Sequence, residues 1–191
     1  MLIGMPFFKS KFMGLDITVY SKIKFDTHCE DVEPTEEQEE DENYINEYEN
    51  KTVHLYAMEV FKLQNEGILT GGYDSDDKPD GFGAGSYSTY NQWRDELAKM
   101  VGLNTAELWN KPEKFKDFPF FELINFSDCE SFIGPKTSAK LYQDFLKYDS
   151  IAEEFMKEIY LKNPSFSFKL RYDKWKKAFE KASDGGAVSF H

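Results

Sequence analysis

The chain has 191 residues, enough for one domain with a substantial core, and 17% of them are aromatic, so core-forming side chains are plentiful. The net charge of −12 argues against nonspecific nucleic-acid binding, which needs a basic excess. No apolar run approaches the roughly 18 to 20 residues of a membrane span, so no membrane partner is expected.

The charge is local. Twelve of the 35 acidic residues lie between Asp26 and Asn50 without a single Lys or Arg, so the other 23 acids balance the 23 bases. Such a run repels itself and stays solvated, and residues 26–50 are read as a flexible acidic insert. Gly4 and Pro6 break the apolar start, which lacks a signal-peptide core. Only Cys29 and Cys129 occur, too few for a disulfide scaffold, so a cytoplasmic location is expected.

Residues 14–25 alternate and predict a strand, with Ile17, Val19, Ile23 and Phe25 as its apolar positions. A second strand is predicted over 52–61, joined to its neighbour by the acidic loop. The Gly- and Asp-rich stretch 65–86 reads as a loop. Tyr90, Trp93, Leu97, Met100 and Val101 recur at helical spacing, with Ser86 or Ser88 as cap and Gly102 as stop. The apolar run Phe118–Phe126 predicts a buried strand that begins at Pro119. Three helices follow. Pro135 starts one, Ile151, Phe155 and Ile159 mark the next, and Phe168, Tyr172, Trp175, Phe179 and Ala182 mark a long last one. The last residues alternate as a short strand. Partial segregation of strands from helices predicts a single α+β domain, a small mostly antiparallel sheet packed with about four helices.

Three segments carry chemistry. Gly81–Arg94 is a glycine-rich run entering a helix, where small residues allow close approach and helix N–H groups face an anion. Gly85, Ser86, Tyr87, Ser88, Asn91 and Arg94 are its candidate ligand-binding residues. The spacing is neither that of a phosphate-binding loop nor of a dinucleotide fingerprint, and the plainer reading is a capped helix after a connection. The segment Asn125–Pro135 follows the apolar run. Asn125 and Ser127 are candidate ligand contacts there, and Asp128, Cys129 and Glu130 candidate catalytic groups. The plainer reading makes Cys129 a small buried residue and Asp128 a turn residue. His191 closes the third segment, where its ring and a terminal carboxylate reach a site or simply fray. His and Cys spacing supports no zinc site, and Asp74, Asp76 and Asp80 lack the partner Glu of a calcium loop, so no metal and no cofactor is expected.

Taken together, Gly14-Leu-Asp-Ile-Thr, Ala84-Gly-Ser-Tyr-Ser with Tyr90-Asn and Trp93-Arg94, Phe121–Glu130, Ile133-Gly-Pro and Asp184-Gly-Gly-Ala-Val with Phe190-His191 resemble a family of uncharacterised bacterial and phage proteins. The resemblance runs from Met13 to His191 and implies a single domain over 13–191, with residues 1–12 as an N-terminal extension. It departs from the family pattern at Thr89 and at Ser131-Phe132, and the acidic segment falls where that family varies. It implies that the three segments act as one unit and names no ligand.

The leading expectation is a small polar or anionic ligand, a nucleotide among them, bound between these segments. Two alternatives stay open. One is a hydrolase or transferase using Cys129, Asp128 and Glu130 or His191. The other is a phage-type interaction protein that docks a basic protein partner through the acidic segment.

Overall fold

A computed structural model describes residues 14–30, 52–126, 130–162 and 167–191. The expected residues 1–12 extension and most of the acidic insert lie outside these. The fold is α+β. Two antiparallel sheets carry the strands β1 (Leu15–Tyr20), β2 (Ile23–Cys29), β3 (Thr52–Leu55), β4 (Gly71–Ser75), β5 (Asp80–Gly85), β6 (Ser131–Ile133) and β7 (Ala187–Phe190). The larger sheet has the order β5-β1-β7-β6 and the smaller one β2-β4-β3. Four long helices pack with them: α2 (Tyr87–Met100), α5 (Pro135–Lys147), α6 (Asp149–Lys162) and α7 (Phe168–Ala182). Short α1 (Lys62–Asn65), α3 (Thr105–Asn110) and α4 (Phe121–Ile124) complete the described helices.

The main core lies between the helices and one face of the larger sheet. Leu15, Ile17 and Val19 of β1 alternate inward, and Val188 and Phe190 of β7 join them. Trp175 of α7 stacks on Trp93 of α2 at 5.5 Å and on Phe190 at 5.5 Å, which ties two helices to the central strands. The smaller sheet covers part of the opposite face through Val53, Leu55, Tyr73, Phe132 and Ala187.

Four local expectations are corrected. The strand expected over 14–25 is two strands in different sheets, because the chain turns at Ser21 and at Lys22, whose φ is 52°. The turn is locked by Lys22 N donating to Asp184 O at 2.8 Å and Ile23 N to Gly185 O at 2.9 Å. A Cβ on Gly186 would lie 1.9 Å from Tyr20 O, so only glycine lets the two corners meet. The strand over 52–61 stops at Leu55 and gives way to a 3-10 turn at Glu59–Phe61. It does not neighbour β2, because β4 lies between them. The expected loop 65–86 therefore contains two strands; a Cβ on Gly81 would lie 2.6 Å from Ile17 O, so glycine here serves close strand approach. Finally, Phe118–Phe126 forms a turn and α4 instead of a strand. Phe120 adopts φ 59°, its N–H donates to Asp144 Oδ2 at 2.9 Å, and helices bury its ring. A continuous apolar run marks burial without choosing the period.

Candidate functional site

Strand register gathers the site. β5 ends at Gly85 opposite Leu15, the start of β1, while β7 ends at Phe190 opposite both Ile17 and Ser131, the start of β6. All four strands therefore meet at one end of the sheet. Asp16 and His191 pair there, with Asp16 N donating to His191 O at 3.3 Å and His191 N to Asp16 O at 3.0 Å. Continuing the β6–β7 register sets Glu130 opposite His191, and Gly83 lies opposite Asp16. Directly opposed residues share a face, so Gly83, Asp16, His191 and Glu130 form one row on the face away from the helices. Thr18 and Ser189 form the next row, and His191 Nε2 lies 3.0 Å from Thr18 Oγ1.

Desolvation of the His191 ring pushes its pKa below the ordinary imidazole value, while the Glu130 and Asp16 carboxylates pull it upward. Desolvation is the larger effect, so the ring favours its neutral form. An imidazole between two carboxylates and beside the Thr18 hydroxyl can accept or pass a proton.

The glycine-rich segment lies at the same end. Ser86 caps α2, its hydroxyl accepting from Thr89 N at 3.2 Å and lying 2.9 Å from Ser88 Oγ. These two hydroxyls serve the cap. Gly85 has φ 96°, and Arg171 of α7 lies beside it, Nη1 donating to Ala84 O at 2.6 Å. Tyr87 is half exposed.

Arg94 sits two turns further along α2, about 12 Å from the cap residue. Only 5% of it is exposed. Its Cζ lies 5.1 Å from the Tyr90 ring centroid and 5.0 Å from that of Trp109. Nη1 donates to Phe126 O and Nη2 to Asn91 Oδ1 at 2.6 Å. Among the described residues its Nε has no hydrogen-bond partner. A guanidinium held by two rings and two oxygens anchors Phe126, four residues before Glu130. Asn125 is half-buried beside it.

On the core face, one aromatic ring from each of the three segments packs together. The Phe126 ring lies 4.5 Å from Phe190, and Tyr90 lies 6.2 Å from the same ring. Ser127, Asp128 and Cys129 fall outside the described residues. Asp16, Thr18, Ser189, Trp109 and Arg171 were not foreseen as site residues. Asp16 and Thr18 carried a signal, as polar positions of an alternating strand, whereas Arg171 sits in a helix whose apolar stripe hides it. Among the described residues no group of three His, Cys, Asp or Glu is placed to hold a metal, and no helix is long and apolar enough to cross a membrane.

Comparison with protein-family models, curated proteins and solved structures found no match.

Proposed function

We propose that the protein is a cytoplasmic binder of a small polar ligand, held on the outer face of the larger sheet at the end where β5 and β7 finish and β1 and β6 begin. The observation that carries this reading is the row Gly83–Asp16–His191–Glu130 on the outer face. A strip of glycine on β5 beside acceptor and hydroxyl side chains lets a ligand approach the strand backbones and meet convergent polar groups. In this reading Asp16, His191 and Glu130 touch the ligand. Asn91, Arg94 and Asn125 position the segment that carries Glu130.

A thermal-shift panel of nucleotides, sugar phosphates, amines and polyols tests it. A ligand at a hundredfold over its Kd adds about 2.7 kcal/mol, roughly 5 to 11 °C for a domain of this size. The gain is expected to vanish in His191→Ala, whose side chain leaves the outer face and not the core. A ligand that stabilises His191→Ala as much as the native protein contradicts the reading.

One observation favours a hydrolase or transferase as a second reading. His191 stands within hydrogen-bond reach of Thr18 and between two carboxylates, the arrangement of a base with orienting groups. Glu130 directly follows Asp128 and Cys129 in the chain. Iodoacetamide labelling in a Cys29→Ser background tests the thiol version. Rapid labelling of native Cys129 supports it, and resistance to labelling together with full tolerance of Cys129→Ser contradicts it.

A further inference from the structure

We infer that the outer edge of β5 docks an extended, acidic segment of another protein, which joins the larger sheet as a further strand beside α7. The small-ligand reading is not needed for it. β5 is an end strand of that sheet, and among the described residues β1 is its only strand partner. The opposite edge, at β6, is covered by the 58–64 segment. Gly134 N donates to Gln64 O at 2.8 Å and Met58 N to Ser131 Oγ at 3.3 Å.

Register decides which backbone groups β5 leaves open. Asp16 bonds His191 through both its N–H and its C=O, on the β7 side. Directly opposed residues of an antiparallel pair exchange both bonds or neither, so Gly83, opposite Asp16, turns both groups outward. Gly81 turns the same way, and its N–H donates to Asp80 Oδ1 at 2.8 Å. Among the described residues no side chain does this for Gly83. Edge strands are commonly blunted by their own Lys or Pro, and Asp80–Gly85 has neither. Side chains of α7 cover the two ends instead, Arg171 Nη1 donating to Ala84 O at 2.6 Å and Lys181 Nζ to Lys78 O at 2.8 Å.

Charge selects the occupant. Arg171, Lys174, Lys177 and Lys181 share the flank of α7 beside β5, with Lys174 Nζ 5.8 Å from the centre of the Phe82 ring. The acids of this helix, Asp173 and Glu180, lie on the other flank, bonded to Lys169 and to the Tyr142 hydroxyl. Burial pushes the Arg171 pKa below its ordinary value, and no carboxylate opposes that shift. Two copies joined through this edge would set like charges against each other, so the edge fits a different protein. Alternate side chains of an added strand stand about 7 Å apart and face this flank, where Lys174 and Lys177 lie about 5 and 9 Å along the helix from Arg171. Main-chain bonds hold such a strand, and its alternate acids select it.

The test is NMR titration of the native protein, at physiological salt, with a heptapeptide that alternates glutamate and valine. The comparison probes are its lysine counterpart, the glutamate peptide methylated at its amide nitrogens, and inorganic tripolyphosphate. The glutamate peptide is expected to move the Gly81 and Gly83 amide signals. Its affinity should fall at least about tenfold on methylation and in the double variant Lys174→Glu, Lys177→Glu, whose fold is checked by unchanged spectra elsewhere. Gly83→Pro removes one outward N–H, spares the β1 ladder and should weaken binding as well. Equal binding of the methylated or the lysine peptide would mean contact without strand addition or without charge selection, and either overturns the inference. Tripolyphosphate moving these signals where the glutamate peptide does not would make the flank a plain anion patch and overturns it too. A glutamate peptide that leaves both signals unmoved overturns it outright.

Discussion

A buried guanidinium is an awkward group to remove. Arg94 contributes two hydrogen bonds and lies over two ring faces, so Arg94→Ala removes the guanidinium bonds to the Phe126 carbonyl and to Asn91. The expected loss is about 2 to 4 kcal/mol by urea denaturation, with Arg94→Lys costing less because the charge stays and the planar fork goes. An alanine at Arg94 therefore reports folding before it reports binding, and a cost under about 0.5 kcal/mol would show that the guanidinium is not held as described. His191 gives a second prediction. Its folded pKa lies below the ordinary 6.5, so below that pH the unfolded chain binds more protons. The stability contributed by the neutral ring is complete above about pH 6.5 and is lost as pH falls through the folded value. Denaturation at pH 7.5 and 5.5 should show a smaller acid loss in His191→Asn than in the native protein; an equal loss contradicts the assignment.

Elements hold one another through few, identifiable contacts. The N-terminus of α5 has no cap from its own Gly134; Glu66, in left-handed conformation at the end of α1, accepts from Thr137 N at 2.7 Å instead. Glu66→Ala should cost about 1 kcal/mol and speed amide exchange at Thr137, and unchanged exchange would assign the cap elsewhere. Ser86 before α2, Pro135 opening α5 and the Phe168–Ala182 stripe of α7 were legible in the sequence because caps and periodicity are local signals. The split at Lys22, α4 inside the Phe118–Phe126 run and the strands at 71–85 were not, because each depends on a partner distant in sequence. The site follows the same rule. Glu130 and His191 were visible as chemistry and Arg94 as a residue beside the apolar stripe, whereas Asp16, Thr18 and Ser189 join them only through register between the two ends of the chain.

At the scale of the whole molecule, the charge excess sits in one run, between Asp26 and Asn50. Cys29 and His54 both stand opposite Gly72, so β2 and β3 flank β4 at about two strand spacings, roughly 10 Å. A handful of residues spans that gap, so removing 33–46 is expected to leave the melting temperature within about 2 °C and the cooperative transition intact. A large loss of stability would mean that the acidic segment packs on the body. The site lies on the other sheet, and its residues come from β1, β5 and the chain next to β6 and β7, with α2 behind them, so it is a property of the assembled fold and of no single element.

The most direct test of the outer-face row is the NMR titration of the His191 ring in the native protein, in Glu130→Gln and in Asp16→Asn. With the ring desolvated between the two carboxylates, its pKa should lie below 6.5 and fall further when either carboxylate is neutralised. A value at or above 6.5 that neither substitution moves would mean that the row is not formed, and the proposed site would go with it.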